Sequence, residues 1–345
     1  MVKRVGTGCG VLLSSLGLTA GFLAGAFLNL TPLSAGFSER AATTAAVGAV
    51  LFTVGTGITL GALFRQGCPW IRRLFLVLFL PGALAWCSFC GLFYFAQDLL
   101  LFSPRELSEA RYAAVLQGYP HAEEIYLPVG ENTLHGWLLP PKIHGETTPL
   151  ILLFYGQGGE ASRYFRLAEN VPEAAWALIN YRGYGWSTGV PNEAAFFADA
   201  LAIYDYFAHH PLIDQNRIVA LAGSMGTGVA VYLSAQRPLA GVVLFSPYDS
   251  IAEAAQDLIP LLPAKLLIRQ RFEVVPYAQS TQAPALAIVG EDDAVIRPDR
   301  SKSLMNSWAR PSETVVIPGG THYSIYEEET AWAAVRSFLH SLDVI

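Results

Sequence analysis

The chain has 345 residues, of which 52% are hydrophobic and 14% charged, and a formal net charge of −6. That length suits one domain of roughly 200–250 residues together with a further part. Up to residue 103 the basic Lys3, Arg4, Arg40, Arg65, Arg72 and Arg73 outnumber Glu39 and Asp98, so the remainder is strongly acidic. An acidic domain without basic runs excludes nucleic acid as a partner.

Residues 5–30, 41–64 and 74–96 carry no charge. Each stretch exceeds the ~20 residues that cross a bilayer, so residues 1–103 read as a region of about three membrane spans. Lys3 and Arg4 precede the first run, and Arg65, Arg72 and Arg73 separate the second from the third. By the positive-inside rule the N-terminus and the second loop are cytoplasmic, which places the chain after about Gln97 outside the cytoplasm. A second reading stands for the first run: a cleaved signal peptide with Ala24-Gly25-Ala26 at the cleavage site. Both readings put the C-terminal part on the same side. Gly17, Gly21 and Gly25 recur every fourth residue, which favours close helix packing either within the bundle or in a dimer, so the oligomeric state stays open.

All four cysteines, Cys9, Cys68, Cys87 and Cys90, lie in this first part. The remainder has no thiol to form a disulfide or mispair in an oxidising space. Cys87 and Cys90 have C-x-x-C spacing, but they sit in an apolar run without a second ligand pair and read as small packing residues.

Asp98 to Pro104 (DLLLFSP) reads as the exit from the third span. Glu124–Val129 and Leu134–Leu139 are strand candidates around a Gly130-Glu131-Asn132 turn, the pattern of a hairpin. From Leu150 onward, apolar strands at 150–155, 175–181, 217–221, 241–246, 285–290 and 314–317 alternate with helical patterns near 160–170, 193–209, 225–236, 298–309 and 329–341. Such alternation indicates an α/β domain over 104–345, with a mostly parallel sheet covered on both faces. Functional residues in such sheets sit beyond the carboxyl ends of the strands.

The loops at those ends carry the reactive side chains. Arg217 to Leu233 (RIVALAGSMGTGVAVYL) is a short strand, a tight turn at Ser224 and a helix, which is the arrangement of a nucleophile elbow. Gly156-Gln157-Gly158-Gly159 after the 150–155 strand can present backbone N–H groups to a developing oxyanion. Glu291-Asp292-Asp293 follows the strand ending at Gly290, and Pro318-Gly319-Gly320-Thr321-His322 follows the strand ending at Ile317. A serine needs a base to take its proton, and a histidine base needs a carboxylate to fix its tautomer. Of the seven histidines, only His322 follows a glycine-rich loop after a late strand. Gly223-Ser224-Met225-Gly226 is not a phosphate-binding loop, because the lysine of that motif is missing.

The order serine, acid, histidine on a strand–elbow–helix frame resembles the α/β-hydrolase superfamily. The likeness runs from about Gln97 to the C-terminus. Arg182-Gly183-Tyr184-Gly185-Trp186-Ser187 is similar to the family's R-G-x-G-x-S segment, and Gly290-Glu291-Asp292-Asp293 to its G-x-x-D turn, which selects Asp293 over Asp292. Ser246-Pro247-Tyr248 and Leu262-Pro263-Ala264-Lys265-Leu266-Leu267 are similar to the post-elbow region of a membrane-anchored subgroup that includes protein depalmitoylases and many bacterial hydrolases. The resemblance implies an α/β-hydrolase fold with an antiparallel N-terminal hairpin. Two positions depart from the family pattern. Tyr155 stands where His-Gly is common and is expected to alter pocket shape. Ala222 stands for the first glycine of G-x-S-x-G, adding one methyl at a position that must stay small.

The expected chemistry is hydrolysis of a carboxylic ester or thioester through an acyl-enzyme. Ser224 is the nucleophile, His322 the base, Asp293 its orienting acid, and the backbone N–H groups of Gln157 and Met225 form the oxyanion hole. No metal site and no cofactor are called for. The expected substrate is a small-molecule or lipid-like ester or an acylated substrate, met by an integral membrane protein. Two alternatives stand beside this: a catalytically silent scaffold on the same fold, and a peptidase using the same triad. The stretch 247–284, rich in Leu, Ile and Pro around 258–268, is either a lid over the serine or a segment packed on the sheet.

Overall fold

The computed structural model describes residues 70–141 and 147–345. The chain divides into two compact units, Met1–Gln97 and Asp98–Ile345. The apolar runs 5–30 and 41–64, with Cys9, Cys68 and the spaced glycines, lie outside the described residues. The third run lies within helix α1, Trp70–Leu101. Its stretch Pro81–Leu101 has a mean hydropathy of 1.4 and is, among the described residues, the one helix long and apolar enough to cross a membrane. At about 1.5 Å per residue it is ~32 Å long, close to the thickness of a bilayer's hydrocarbon core. Of the three expected spans, one is therefore described. Cys87 and Cys90 on this helix are free thiols.

The second unit is built on an eight-stranded sheet. Its strands are β1 (Glu123–Val129), β2 (Asn132–Leu139), β3 (Thr148–Phe154), β4 (Ala175–Ile179), β5 (Ile213–Gly223), β6 (Gly241–Phe245), β7 (Ala285–Gly290) and β8 (Ser312–Ile317). The spatial order is β8-β7-β6-β5-β3-β4-β2-β1. β1 and β2 form an antiparallel hairpin and β2 runs antiparallel to β4, while the remaining pairs are parallel. β3 (TPLILLF) and β6 (GVVLF) are buried along their whole length, the signature of strands covered on both faces. β8 (SETVVI) is mostly exposed and carries its polar residues along the sheet edge.

Helices fill the two faces: α2 (Glu109–Gly118), α3 (Glu193–Ala208), α4 (Met225–Gln236), α5 (Ile251–Leu258), α6 (Ala264–Leu267), α7 (Val275–Ala278), α8 (Pro298–Asn306) and α9 (Glu329–Ser341). α4 is buried on nearly every side, which its sequence MGTGVAVYLSAQ permits because small residues let neighbours approach closely. At Gly228 an added Cβ would lie 2.3 Å from the Tyr248 hydroxyl.

Several elements differ from their sequence expectation. α2 has only Val115 buried, so it shows no apolar stripe; Ser108 caps it by accepting from Arg111 N–H at 3.3 Å. The expected helix at 160–170 is a 3-10 helix, Ala161–Asn170. The stretch 247–284 folds as three short helices, α5 to α7, joined by turns.

Register decides where the reactive loops fall. Phe154 of β3 pairs with Ala222 of β5, Gly223 with Phe245 of β6, Phe245 with Ile288 of β7, and Gly290 with Ile317 of β8. Five strands therefore end at one edge of the sheet, and the residues after each project from that edge.

Candidate active site

Ser224 stands between β5 and α4 with φ 51° and ψ −125°, a left-handed conformation that non-glycine residues rarely adopt. The strained turn leaves the side chain half-exposed at the head of α4. Its backbone N–H is secured to Phe245 O at 2.9 Å. Two glycines make the turn possible. A Cβ on Gly226 would come within 2.1 Å of Phe154 O, and one on Gly223 within 2.0 Å of the Tyr326 hydroxyl. Ala222 is an ordinary strand residue, fully buried between Phe154 and Leu244. The demand for glycine falls on positions 223 and 226, and the methyl at 222 has room.

Asp293 and His322 arrive from the ends of β7 and β8. Their loops are tied together: Asp292 N–H donates to Gly320 O at 2.8 Å, and Gly319 N–H donates to the Glu291 carboxylate at 3.0 Å. These bonds leave Glu291 and Asp292 facing solvent and turn Asp293 inward, where it is buried. His322 Nδ1 lies 2.8 Å from Asp293 Oδ2, and His322 Nε2 lies 3.0 Å from Ser224 Oγ. An ionised carboxylate only accepts, so the Nδ1 proton points to Asp293 and Nε2 is left to accept from the serine hydroxyl. Burial alone would push the Asp293 carboxyl up. Hydrogen bonds from His322 and Ser246, the charge of His322 and the Ile296 N–H outweigh it and hold the group below the ordinary carboxylate value. A hydroxyl, an imidazole and an ionised carboxylate in series can move the hydroxyl proton onto the imidazole as the oxygen attacks an electrophile.

Of the two residues expected at the oxyanion position, Met225 directly follows Ser224 in the chain. Met225 opens α4, so its N–H belongs to the first turn and has no carbonyl four residues back. Gly156 packs against the serine, since a Cβ there would lie 3.4 Å from Ser224 Cβ. Gln157 follows, and its carbonyl is pinned by the Tyr184 hydroxyl at 2.8 Å and by Ser103 N–H at 3.2 Å. Gly158–Gly159 pair in parallel with Ser103–Pro104, so the segment just after α1 forms part of this loop's support. Tyr155 does not line the site. It is buried, donates its hydroxyl to Asn180 Oδ1 at 3.1 Å, and packs its ring against Tyr164 and Tyr181, bracing the loop from beneath.

Three contributors escaped the sequence reading. Ser246, after β6, donates to Asp293 Oδ2 at 2.6 Å. Tyr326 stacks on Phe245 and fills the space beside Gly223. Tyr323 is exposed and meets the His322 ring edge-on at 5.2 Å. Only the serine had a sequence signal, its place directly after a buried strand. Among the described residues no group of three or more His, Cys, Asp or Glu is placed to hold a metal ion.

A serine hydrolase (FSH1) family model matches residues 214–324, the span from β5 through His322. The uncharacterized protein Rv2307c of Mycobacterium tuberculosis is 32% identical over 216 residues, covering 61% of this chain and 76% of that protein. The chain belongs to the family of Rv2307c, within the α/β-hydrolase superfamily. The alpha/beta hydrolase domain-containing protein WAV2 of Arabidopsis thaliana is 26% identical over 243 residues, covering 63% of this hydrolase and 78% of WAV2. Among solved structures, Est1E from Butyrivibrio proteoclasticus superposes with a TM-score of 0.55 at 19% identity, covering 64% of the hydrolase and all of Est1E. That likeness extends to the fold.

Proposed function

We propose that this protein cleaves a carboxylic ester or thioester through an acyl-enzyme on Ser224, and that it works as a membrane-anchored enzyme. One observation carries the proposal: the unbroken series Ser224 Oγ, His322, Asp293 at 3.0 and 2.8 Å, with the serine in a left-handed turn at a helix N-terminus.

In the proposed reaction His322 Nε2 takes the proton of Ser224 as Oγ bonds to the carbonyl carbon. The Met225 and Gln157 N–H groups hold the oxyanion, each contributing about 3 kcal/mol at the transition state. Asp293 stabilises the imidazolium formed. The imidazolium protonates the departing alcohol or thiol, the carbonyl re-forms, and the same histidine then activates water to release the acid. No step requires a metal or cofactor.

Anchoring is supported by the apolar stretch Pro81–Leu101, which has the length of a span. The positive-inside pattern of Lys3, Arg4, Arg65, Arg72 and Arg73 favours a hydrolase domain outside the cytoplasm. An enzyme tethered at a bilayer meets hydrophobic esters and acylated molecules most readily, and we take these as the substrate class. A reporter active only outside the cytoplasm, fused after Ile345, is expected to work; an intact but silent fusion overturns the orientation.

The chemistry has a direct test. A fluorophosphonate probe is expected to label the wild-type chain and not Ser224→Ala. A folded wild type that resists labelling overturns the serine-hydrolase reading. Turnover across a series of p-nitrophenyl esters and thioesters of increasing acyl length then defines the acyl preference.

A further inference from the structure

Ser246 is one of four non-glycine residues with positive φ among the described residues, at φ 49°. It follows β6 directly and is fully buried. A glycine would hold this conformation at lower cost, because the left-handed region brings an L side chain's Cβ against its own backbone. A buried serine in a strained turn thus invites the question of what its hydroxyl does.

Its hydroxyl has a single acceptor, Asp293 Oδ2, at 2.6 Å. That separation lies in the short range of hydrogen bonds to an ionised oxygen. The same Oδ2 takes the His322 Nδ1 proton at 2.8 Å. The other carboxylate oxygen, Oδ1, accepts from Val295 N–H at 2.9 Å and Ile296 N–H at 2.8 Å. The turn after β7 therefore grips Oδ1, and the oxygen that faces the imidazole is held from the opposite side by β6. The terminal torsion of an aspartate is broad and two-fold, so gripping one oxygen does not by itself fix the plane of the group. The two β6 and β7 turns are held in place by the strand register Phe245↔Ile288 and by Ser246 N–H donating to Ile288 O at 2.8 Å.

We propose that Ser246 is a positioning residue of the hydrolase reaction, its strained turn presenting a hydroxyl that fixes Asp293 Oδ2 in the plane facing His322. The inference rests on the serine-hydrolase reading. Ser246 does not contact Ser224 Oγ or the oxyanion position; it acts through the acid. Without its hydroxyl, Oδ2 keeps one donor in a site closed to water, the carboxylate turns, and the imidazole loses its aim at Ser224. Misalignment of that kind slows the chemical step and leaves substrate binding intact.

The discriminating variant is Ser246→Gly in the full chain, since glycine suits the positive-φ backbone while taking away the hydroxyl together with its Cβ. With a p-nitrophenyl ester that the wild type turns over, Ser246→Gly is expected to lower kcat roughly 10- to 100-fold with KM within about two-fold. Its thermal midpoint is expected to fall less than that of Ser246→Ala, because relief of the turn's strain offsets part of the lost hydrogen bond. The low-field proton resonance of the His322–Asp293 bond is expected to shift. Ser246→Ala is expected to give the same kinetic loss with a lower midpoint, because it keeps the strain. Wild-type kcat and an unmoved resonance in Ser246→Gly overturn the proposal, as does a parallel fall of kcat, rise of KM and loss of stability as large as in Ser246→Ala. Fluorophosphonate labelling of the wild type separates the two levels: an unlabelled, folded wild type fails the hydrolase reading itself, whereas a labelled wild type with an unaffected Ser246→Gly fails only the role of Ser246.

Discussion

Ser224 and Ser246 follow neighbouring strands, and each has a positive φ, at 51° and 49°. The turn after β5 leaves its serine half-exposed, with the hydroxyl facing a base at 3.0 Å; the turn after β6 seals its serine inside, with the hydroxyl on a carboxylate at 2.6 Å. Two serines at positive φ thus present the same side chain, and the surroundings decide what each does. An exposed hydroxyl beside an imidazole can become a nucleophile. A buried hydroxyl beside an ionised acid is locked as a donor.

The largest expected effect falls on the exposed member of the pair. Ser224→Ala is expected to reduce kcat by at least ~10⁴-fold while the thermal midpoint stays near wild type. Measured turnover within tenfold of wild type would break the contrast between the two turns. Next comes the acid they share access to. Asp293→Asn keeps the shape of the side chain and removes its charge, and steady-state kinetics are expected to show a kcat loss on the order of 10⁴-fold.

A third change acts on the elbow's fit. Gly226→Ala places a methyl against Phe154 O, where an added Cβ would lie 2.1 Å away. Thermal or urea unfolding is expected to show a loss of roughly 3 kcal/mol. Gly→Ala at this site with unchanged stability would mean that the close packing of α4 on β3 is not required for the turn.

The smallest effect is on pH and stability. The Asp293 carboxyl is held below its ordinary value in the folded chain. Above the unfolded carboxylate pKa of about 3.9, that difference stabilises the fold; as pH falls through the lower folded value, the stabilisation is lost. The gap in thermal midpoint between wild type and Asp293→Asn is therefore expected to narrow as the pH is lowered from 5 toward 2. A gap independent of pH would place the stabilising interaction elsewhere.

What the sequence made legible was local. Apolar runs such as LILLF and VVLF marked buried strands; Ser224 stood directly after one, and Asp293 and His322 stood in short loops after the two later strands. The same logic separates Asp293 from Asp292 only through the family's turn pattern; the structure adds the cause, two loop-to-loop bonds that leave Asp292 outside. The role of Ser246 was not legible, because its contact with Asp293 depends on how β6 and β7 are registered, forty-odd residues apart in the chain. Ala222 reads from the sequence as a tolerated methyl and sits in the strand as one; the steric demand at Gly223 was not legible, since it comes from Tyr326, about a hundred residues away. α2 was missed because a helix with one buried side chain leaves no periodic trace.

The loop that carries Gln157 is not held by its own neighbours in sequence alone. Ser103 N–H reaches the Gln157 carbonyl, Ser103–Pro104 pairs with Gly158–Gly159, and Phe102 beside them is buried against Phe196. A segment fifty-odd residues upstream thus serves as the loop's outer brace, and a flexible insertion there would slacken the very backbone on which the candidate oxyanion position depends.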